Sequence, residues 1–337
     1  MPAVLAAWLA ACPAAAADRM GLLVPAYQYP TLGTLWADCA AAATRVPLVA
    51  VLDPASGPGT GVDPTYTAAV GAVRAAGGRV VGYVPTFGGE TPAESVLVQV
   101  DRYRAWYALD GIFLDLMAND ASPAHVAYYA AVRESIRARE HAWLVIGNPG
   151  TTTQEAYVTG ADVLCDFEYY GEGYFGWTPE PWAHAYPPRR FAHLLHSLST
   201  ADSMRAAVAR ACALGAGWVF ATPDTMVNPY DETPAYWSAL VAAVETTFVA
   251  NVPDAPPAAH AALRAWPVPA RGDVQFAPIA AGARSIEVFD LSGRCVARLP
   301  ASPGRAVRWD ARGVPAGLYL ARAVGSRAPA TRLVLVR

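Results

Sequence analysis

Charge is scarce in this chain and nowhere concentrated. Asp, Glu, Lys and Arg make up 16% of its 337 residues, and the formal net charge is -3. Nucleic-acid binding needs a basic stripe that displaces counterions from phosphate, and no such stripe or Arg-Gly run is present. Cysteine is equally sparse. Five are spread out as Cys12, Cys39, Cys165, Cys212 and Cys295, without a C-x-x-C pair or a histidine at ligand spacing. They read as small buried hydrophobes rather than a metal site, with one disulfide among Cys39, Cys165 and Cys212 left open. His125, His141 and His184 have no second histidine at ligand spacing and no H-E-x-x-H pattern is present, so no metal is expected. The absence of G-x-G-x-x-G and Walker loops removes the main nucleotide-binding readings, and no cofactor is expected. "ASGPGTG" at 55–61 lacks the lysine of a phosphate loop and runs into "VDP", a turn leading to a helix cap.

Apolar residues are abundant instead, at 54%, with Trp 10 and Tyr 16. That composition excludes disorder and supplies a sizeable core, with aromatics of the kind that also stack on sugar C–H faces. The N-terminus lacks the usual basic n-region, yet its apolar run ends in Ala15-Ala16-Ala17 ahead of Asp18, as a cleaved signal peptide over 1–17 would. Two alternatives are an Ala-rich helix and a lipoprotein anchor through Cys12, from the box Leu9-Ala10-Ala11-Cys12. The run is too short and Ala-rich for a membrane span. Export to the medium or the cell surface is therefore expected.

Eight short apolar runs follow, at 21–29, 46–54, 79–87, 111–117, 143–150, 162–170, 191–198 and 217–224, with helix-patterned segments between them. Near-continuous apolar strands alternating with helices mean a covered parallel sheet, and eight such units predict an α/β (β/α)8 barrel over 18–248. A Pro/Ala-rich linker over 249–272 then leads to alternating strands punctuated by Ser292-Gly293 and Pro315-Ala316-Gly317, a small all-β sandwich over 273–337.

Barrel enzymes build their sites at the C-terminal strand ends. Here those ends carry Tyr27 and Tyr29, Asp53, Tyr83 and Thr86, Asp115, Asn148, Asp166 with Glu168 and Tyr170, His196, and Thr222 with Asp224. Alternation puts Phe113 and Asp115 on one face of strand four, and Leu164, Asp166 and Glu168 on one face of strand six. Strands of equal parity share layers, so Asp115 and Glu168 are predicted to face each other across the mouth. Paired carboxylates in unequal environments suit glycoside hydrolysis, with Glu168 as acid/base, Asp115 as nucleophile or cation stabiliser, and the two roles exchangeable. The remaining strand-end residues are candidates for substrate binding, together with Trp177 or Trp182. Plainer readings compete. A strand-end acid often caps the next helix, although Asp120 or Ser122 is better placed for that after strand four, and no helix start follows Glu168. His196, on an apolar strand, also reads as a hydrogen-bonded core histidine.

These stretches resemble a known family. "LLVPAYQYPTLGTLW" (22–36), "DPASGPGTGVDPTY" (53–66), "VVGYVPTFGG" (80–89), "YRAWYALDGIFLD" (103–115) and "NPG" followed by "ADVLCDFEYY" (148–170) are similar to the spherulin-4-like proteins, glycoside hydrolase family 135. The resemblance implies a (β/α)8 endo-hydrolase of α-1,4-linked galactosamine or N-acetylgalactosamine polymers in biofilm or cell-wall matrices, with Asp115 and Glu168 matching its catalytic acids. Two departures stand out: Leu116 occupies the place of a second acid after Asp115, and Asp53-Pro54 replaces Asn-Pro. Leu116 motivates a rival, a catalytically silent carbohydrate-binding protein; a third reading is a hydrolase for another linkage. "VFDLSGRCVARL", "WDARGVPAGLYLARA" and "TRLVLVR" resemble the C-terminal sorting or FlgD-like immunoglobulin-type modules of secreted bacterial proteins, which implies a secretion or attachment partner. A monomer is expected.

Overall fold

The computed structural model describes residues 18–249, 263, 265–276, 284–290, 293–301, 305–324 and 331–336. The expected signal peptide, Cys12 and most of the expected linker lie outside them. The chain divides into two compact units between residues 255 and 256.

The first unit is the predicted barrel. Strands β1 (Gly21–Ala26), β2 (Leu48–Leu52), β3 (Arg79–Pro85), β4 (Gly111–Asp115), β5 (Leu144–Gly147), β6 (Val163–Tyr170), β7 (Phe191–His196) and β8 (Trp218–Ala221) pair in parallel and close, β8 onto β1 through Gly21–Trp218 and Leu22–Val219. Each falls inside one of the eight apolar runs. The runs are continuous rather than alternating because both faces are covered: Leu22, Leu23, Val24, Ala50 and Ile112 are all fully buried.

Helices α1 (Leu35–Ala43), α2 (Pro64–Ala75), α3 (Ala93–Trp106) and α4 (Pro123–Arg139) cover the first four strands. Asp63 caps α2 by accepting from Thr65 N at 2.7 Å, and Ser122 caps α4 ahead of Pro123, so the "VDP" and "SPAH" segments start helices as their chemistry dictates. Tyr103 of α3 lies over β3 and donates to the carbonyls of Leu52 (3.1 Å) and Tyr83 (3.0 Å). Gly82 admits that ring, since a Cβ there would lie 2.7 Å from it.

The alternation fails on the far side. A 3-10 helix, Glu155–Gly160, replaces the helix between β5 and β6. Between β6 and β7 only the short α5 (Gly171–Tyr174) and two 3-10 turns appear, because the Pro-rich "TPEPWAHAYPPRR" cannot sustain an amphipathic helix. Helices α6 (Ala201–Leu214) and α7 (Trp237–Glu245) complete the layer. A two-residue ladder, Asp18–Arg19 with Phe248–Val249, ties the unit's ends together.

The second unit holds antiparallel strands β9 (Ala265–Trp266), β10 (Asp273–Phe276), β11 (Ser285–Asp290), β12 (Cys295–Pro300), β13 (Val307–Asp310), β14 (Gly317–Val324) and β15 (Thr331–Leu335). They form sheets β9-β10-β13 and β12-β11-β14-β15 around one core of Val274, Phe276, Ile286, Val288, Trp309, Ala321 and Leu333. Strand β9 and the Ala270–Leu335 bridge lie within the stretch expected to be linker, so ordered pairing begins before residue 273. Cys39, Cys165, Cys212 and Cys295 are free thiols, which removes the disulfide left open from sequence.

Candidate active site

The C-terminal ends of β4, β5 and β6 bring Asp115, Asn148 and Glu168 together. One side-chain amide joins the two acids: Asn148 Nδ2 donates to Asp115 Oδ1 at 2.7 Å and to Glu168 Oε2 at 2.5 Å. Each remaining carboxylate oxygen takes a phenol, Asp115 Oδ2 from Tyr83 at 2.6 Å and Glu168 Oε1 from Tyr230 at 2.8 Å. Tyr27 stands between these phenols, its ring edge-on to Tyr83 at 5.8 Å and to Tyr230 at 5.7 Å. Its own hydroxyl has no hydrogen-bond partner among the described residues.

Burial acts on both acids in the same direction. Burial raises the Asp115 carboxyl above the ordinary range, against the hydrogen bonds from Tyr83 and Asn148 that favour its charge. Burial also raises Glu168; the Asn148 bond opposes this, and the negative charge of Asp115 pushes it further up. Burial and the nearby carboxylates raise the Tyr27, Tyr83 and Tyr230 phenols, so all three stay protonated donors. Glu168 opens into a cleft of about 480 Å³ lined by Tyr27, Tyr170, His196, Tyr230 and the 226–229 loop.

The rim around the pair is strained. Ser56, Phe87, Leu116 and Ser197, non-glycine residues with φ of 51°, 46°, 50° and 61°, sit just past β2, β3, β4 and β7. Side chains disfavour this left-handed region, and such residues persist where packing over-determines the backbone, commonly at working sites. Leu116 is held there by the Gly88 N–H (2.7 Å) and the Thr86 hydroxyl (3.1 Å), both donating to its carbonyl, and its side chain is 48% exposed.

Tyr27, Tyr170 and His196 line the cleft, and burial lowers the His196 pKa, favouring the neutral ring. Tyr83 and Asn148 reach the acids rather than open space. Several other candidates are spent elsewhere. Thr86 is buried, with its hydroxyl on the Asp115 carbonyl (2.7 Å) and on Tyr129 (2.9 Å). Tyr29 donates to Asp63 at 3.1 Å, and Thr222 accepts from Asp224 N at 3.1 Å within a local turn. Asp224 Oδ1 accepts from Thr225 N at 2.7 Å.

Asp166 corrects the face assignment. A bulge between Cys165 and Phe167 breaks the two-residue period of β6, so Asp166 and Glu168 do not share a face. Asp166 is buried against His193 Nε2 at 3.2 Å, beside Tyr174, whose hydroxyl meets His193 Nδ1 at 2.5 Å. Trp177 packs in that same layer on Phe167 and His193, and Trp182 packs on Tyr186 and Phe191, so neither joins the residues lining the cleft. Tyr230, a direct partner of Glu168, escaped the sequence reading because it lies nine residues past β8 in an irregular loop, and no periodicity points to it.

Asp53 accepts from Gly57 N at 2.8 Å, and burial chiefly raises its carboxyl from 3.8 to about 6. A raised carboxyl contributes stability that is complete below the unfolded pKa and is lost as pH climbs through 6. Asn would keep the acceptor for Gly57 without the buried charge. Asp53→Asn is therefore expected to be more stable than wild type at neutral pH by on the order of 2 kcal/mol, with the difference vanishing below about pH 4. Thermal unfolding at both pH values checks this; equal melting temperatures at neutral pH would refute it.

Fold and site together define a class: a (β/α)8 barrel with a half-buried, amide-linked carboxylate pair at its C-terminal mouth. Comparison with known proteins gives the family. Residues 21–244 match the family described as Spherulation-specific family 4, and the chain belongs to it. Spherulin-4 of Physarum polycephalum is 32% identical over 219 residues, covering 62% of this chain and 65% of that protein, so the match spans just under two thirds of the relative's length. Among solved structures, Sph3 of Aspergillus clavatus, determined in complex with GalNAc, aligns with a TM-score of 0.60 at 22% identity over 68% of this chain and 98% of Sph3. At that identity the likeness establishes the fold.

Proposed function

We propose that this protein is a glycoside hydrolase acting within α-1,4-linked galactosamine or N-acetylgalactosamine polysaccharide. The observation carrying the reading is the Asp115–Glu168 pair, two half-buried carboxylates sharing one amide at the mouth of a barrel. The Sph3 structure holds GalNAc on the same fold, which supports an amino sugar as the substrate. Exposed apolar side chains around the mouth, Phe87, Leu116, Tyr169, Tyr170 and Val227 among them, suit sugar faces extending beyond one residue and support endo cleavage. We further propose export through the N-terminal 1–17 segment and an attachment role for the C-terminal unit.

The two like charges repel across the shared amide, so one acid keeps its proton while the other is ionised. In the working enzyme Asp115 is the carboxylate and Glu168 the acid. Asp115 attacks the anomeric carbon as Glu168 protonates the departing glycosidic oxygen. Glu168 then takes a proton from the water that displaces Asp115. The acid oxygens that share Asn148 Nδ2 are no farther apart than the sum of its two hydrogen bonds, 2.7 and 2.5 Å. That bound rules out the roughly 6.5–9.5 Å of inverting enzymes and leaves the short separation that retaining ones use. Retention is the expected outcome, checked by NMR of the first-formed anomer; an inverted first product contradicts it.

The exposed Leu116 favours a second reading, a carbohydrate-binding protein without turnover. Mass spectrometry of products from acetylated and deacetylated galactosaminans decides between the two. Oligosaccharides released by wild type support hydrolysis; binding without release supports the alternative.

A further inference from the structure

We propose that Asn148 is the positioning residue of this site: the Asn148-Pro149-Gly150 turn locks both acids into one unit, and the Asn148 amide is used up in doing so rather than left to bind sugar. The proposal rests on the hydrolase reading for its catalytic consequence, but its structural content stands apart.

The turn holds the chain at or beside each acid through its backbone as well as through the amide. On the Asp115 side, Asn148 N donates to the Leu114 carbonyl at 2.9 Å and the Asn148 carbonyl accepts from Met117 N at 2.9 Å, so β5 brackets the end of β4 on both sides of Asp115. On the Glu168 side, the Gly150 carbonyl accepts from Glu168 N at 2.9 Å. The amide bridges the carboxylates between these backbone anchors. Its orientation is fixed, because Oδ1 accepts from Gly150 N at 3.0 Å and a flipped amide would point its NH2 at that N–H. Both Nδ2 hydrogens go to the acids, and the residue is only 4% exposed. Gly150 makes the fold-back possible with φ of 66° and Glu168 Cβ 3.8 Å from where its own Cβ would stand.

The residue type follows from the chemistry. A primary amide is the short neutral side chain that offers two diverging N–H donors and a carbonyl acceptor. An aspartate would add a third negative charge, and a lysine would have no acceptor for Gly150. Two carboxylates this close repel when both are ionised, and two N–H dipoles aimed between them offset that repulsion. The other titratable groups around the pair are Tyr27 after β1, Asp53 after β2, Tyr83 on β3, Cys165 on β6, Tyr230 after β8 and, in the cleft beside Glu168, His196 on β7, whose ring burial keeps toward the neutral form. Among the described residues, Asn148 is thus the one neutral donor common to both acids.

The test is Asn148→Ala, read in two independent ways on the full chain. Carboxyl-carbon NMR is expected to show the Asp115 and Glu168 midpoints both moving to higher pH than in wild type. In kinetics, kcat is expected to fall about 100-fold, the scale of a 1 Å misplacement, with KM little changed and both limbs of the pH profile displaced upward. Unmoved NMR midpoints overturn the proposal, as does a loss of kcat with unmoved limbs, which would mean a structural role alone. If wild type cleaves no polysaccharide, the hydrolase reading fails, and the NMR result still decides the role of Asn148. Asn148→Asp, isosteric and still able to accept from Gly150, serves if the alanine protein does not fold. Its third carboxylate is expected to raise the midpoints, and unchanged midpoints there also refute the proposal.

Discussion

Glu168→Gln and Asp115→Asn are each expected to lower kcat on galactosaminan by about 10²–10⁴-fold, the contribution of a positioned proton donor or a comparable group. A glutamine in place of Glu168 keeps the contacts to Asn148 and Tyr230 but cannot deliver a proton to the leaving oxygen. An aryl glycoside whose leaving group departs as a stable anion needs little protonation, so Glu168→Gln is expected to recover much of its rate on such a substrate. Asp115→Asn is not, because its defect is the attack itself. Both variants should still bind polymer, since neither side chain adds bulk and the aromatic rim is untouched. Rates within tenfold of wild type for either variant would remove the paired-acid mechanism.

The same variants should gain stability as they lose activity. Both acids have raised pKa values in the folded protein, chiefly through burial. Their contribution to stability is therefore complete below the unfolded carboxylate range and is lost as pH rises through the folded values. At neutral pH burial penalises ionisation of both carboxyls in the fold, a penalty absent from the unfolded chain, where they are ionised in water. The amide isosteres remove that penalty and keep hydrogen bonds, since the Tyr83 and Tyr230 hydroxyls can accept as well as donate. Melting temperatures of both variants should exceed wild type near pH 7 and converge with it at low pH, at roughly 2–4 °C per kcal/mol. A lower Tm at neutral pH would indicate that the ionised pair stabilises the fold.

The barrel was legible because its signal is redundant. Eight apolar runs carry it, and the loss of regular helices on both sides of β6 does not erase it. The acids were legible at β4, where "GIFLD" keeps its two-residue period to the rim. At β6 the same reasoning found Glu168 but misassigned Asp166, because a bulge costs one residue of register and leaves no mark in residue type. Polar strand ends were read as substrate contacts, yet Thr86, Tyr29 and Thr222 serve the scaffold: a rim that bends eight strands into loops has its own backbone groups to satisfy. Tyr230 was illegible for the opposite reason. It comes from a loop whose path is set by tertiary packing, and it meets Glu168 across 62 residues of sequence.

Gly111 carries the other large expected effect, on folding. It opens β4 beside Leu144, and a Cβ at this position would lie 2.0 Å from the Leu144 carbonyl oxygen and 2.8 Å from both its C and its N. Those atoms are backbone within a closed barrel, so no rotamer can yield; β4 and β5 would have to separate where Leu144 N donates to the Asp110 carbonyl at 2.8 Å. Gly111→Ala is expected to cost at least about 3 kcal/mol, the upper range for overpacking, because strand pairing is lost as well as space. Gly71, inside α2 with nothing within 4 Å of its would-be Cβ, is the matched control. Gly71→Ala should stabilise by about 0.5–1 kcal/mol through helix propensity and the unfolded chain. Urea unfolding of the two variants separates the effects, and a Gly111→Ala protein within about 1 kcal/mol of wild type would show that β4 can shift. Asp115 lies four residues along the same strand, so any folded Gly111→Ala protein should also lose activity through displacement of the acid, about 100-fold for each ångström.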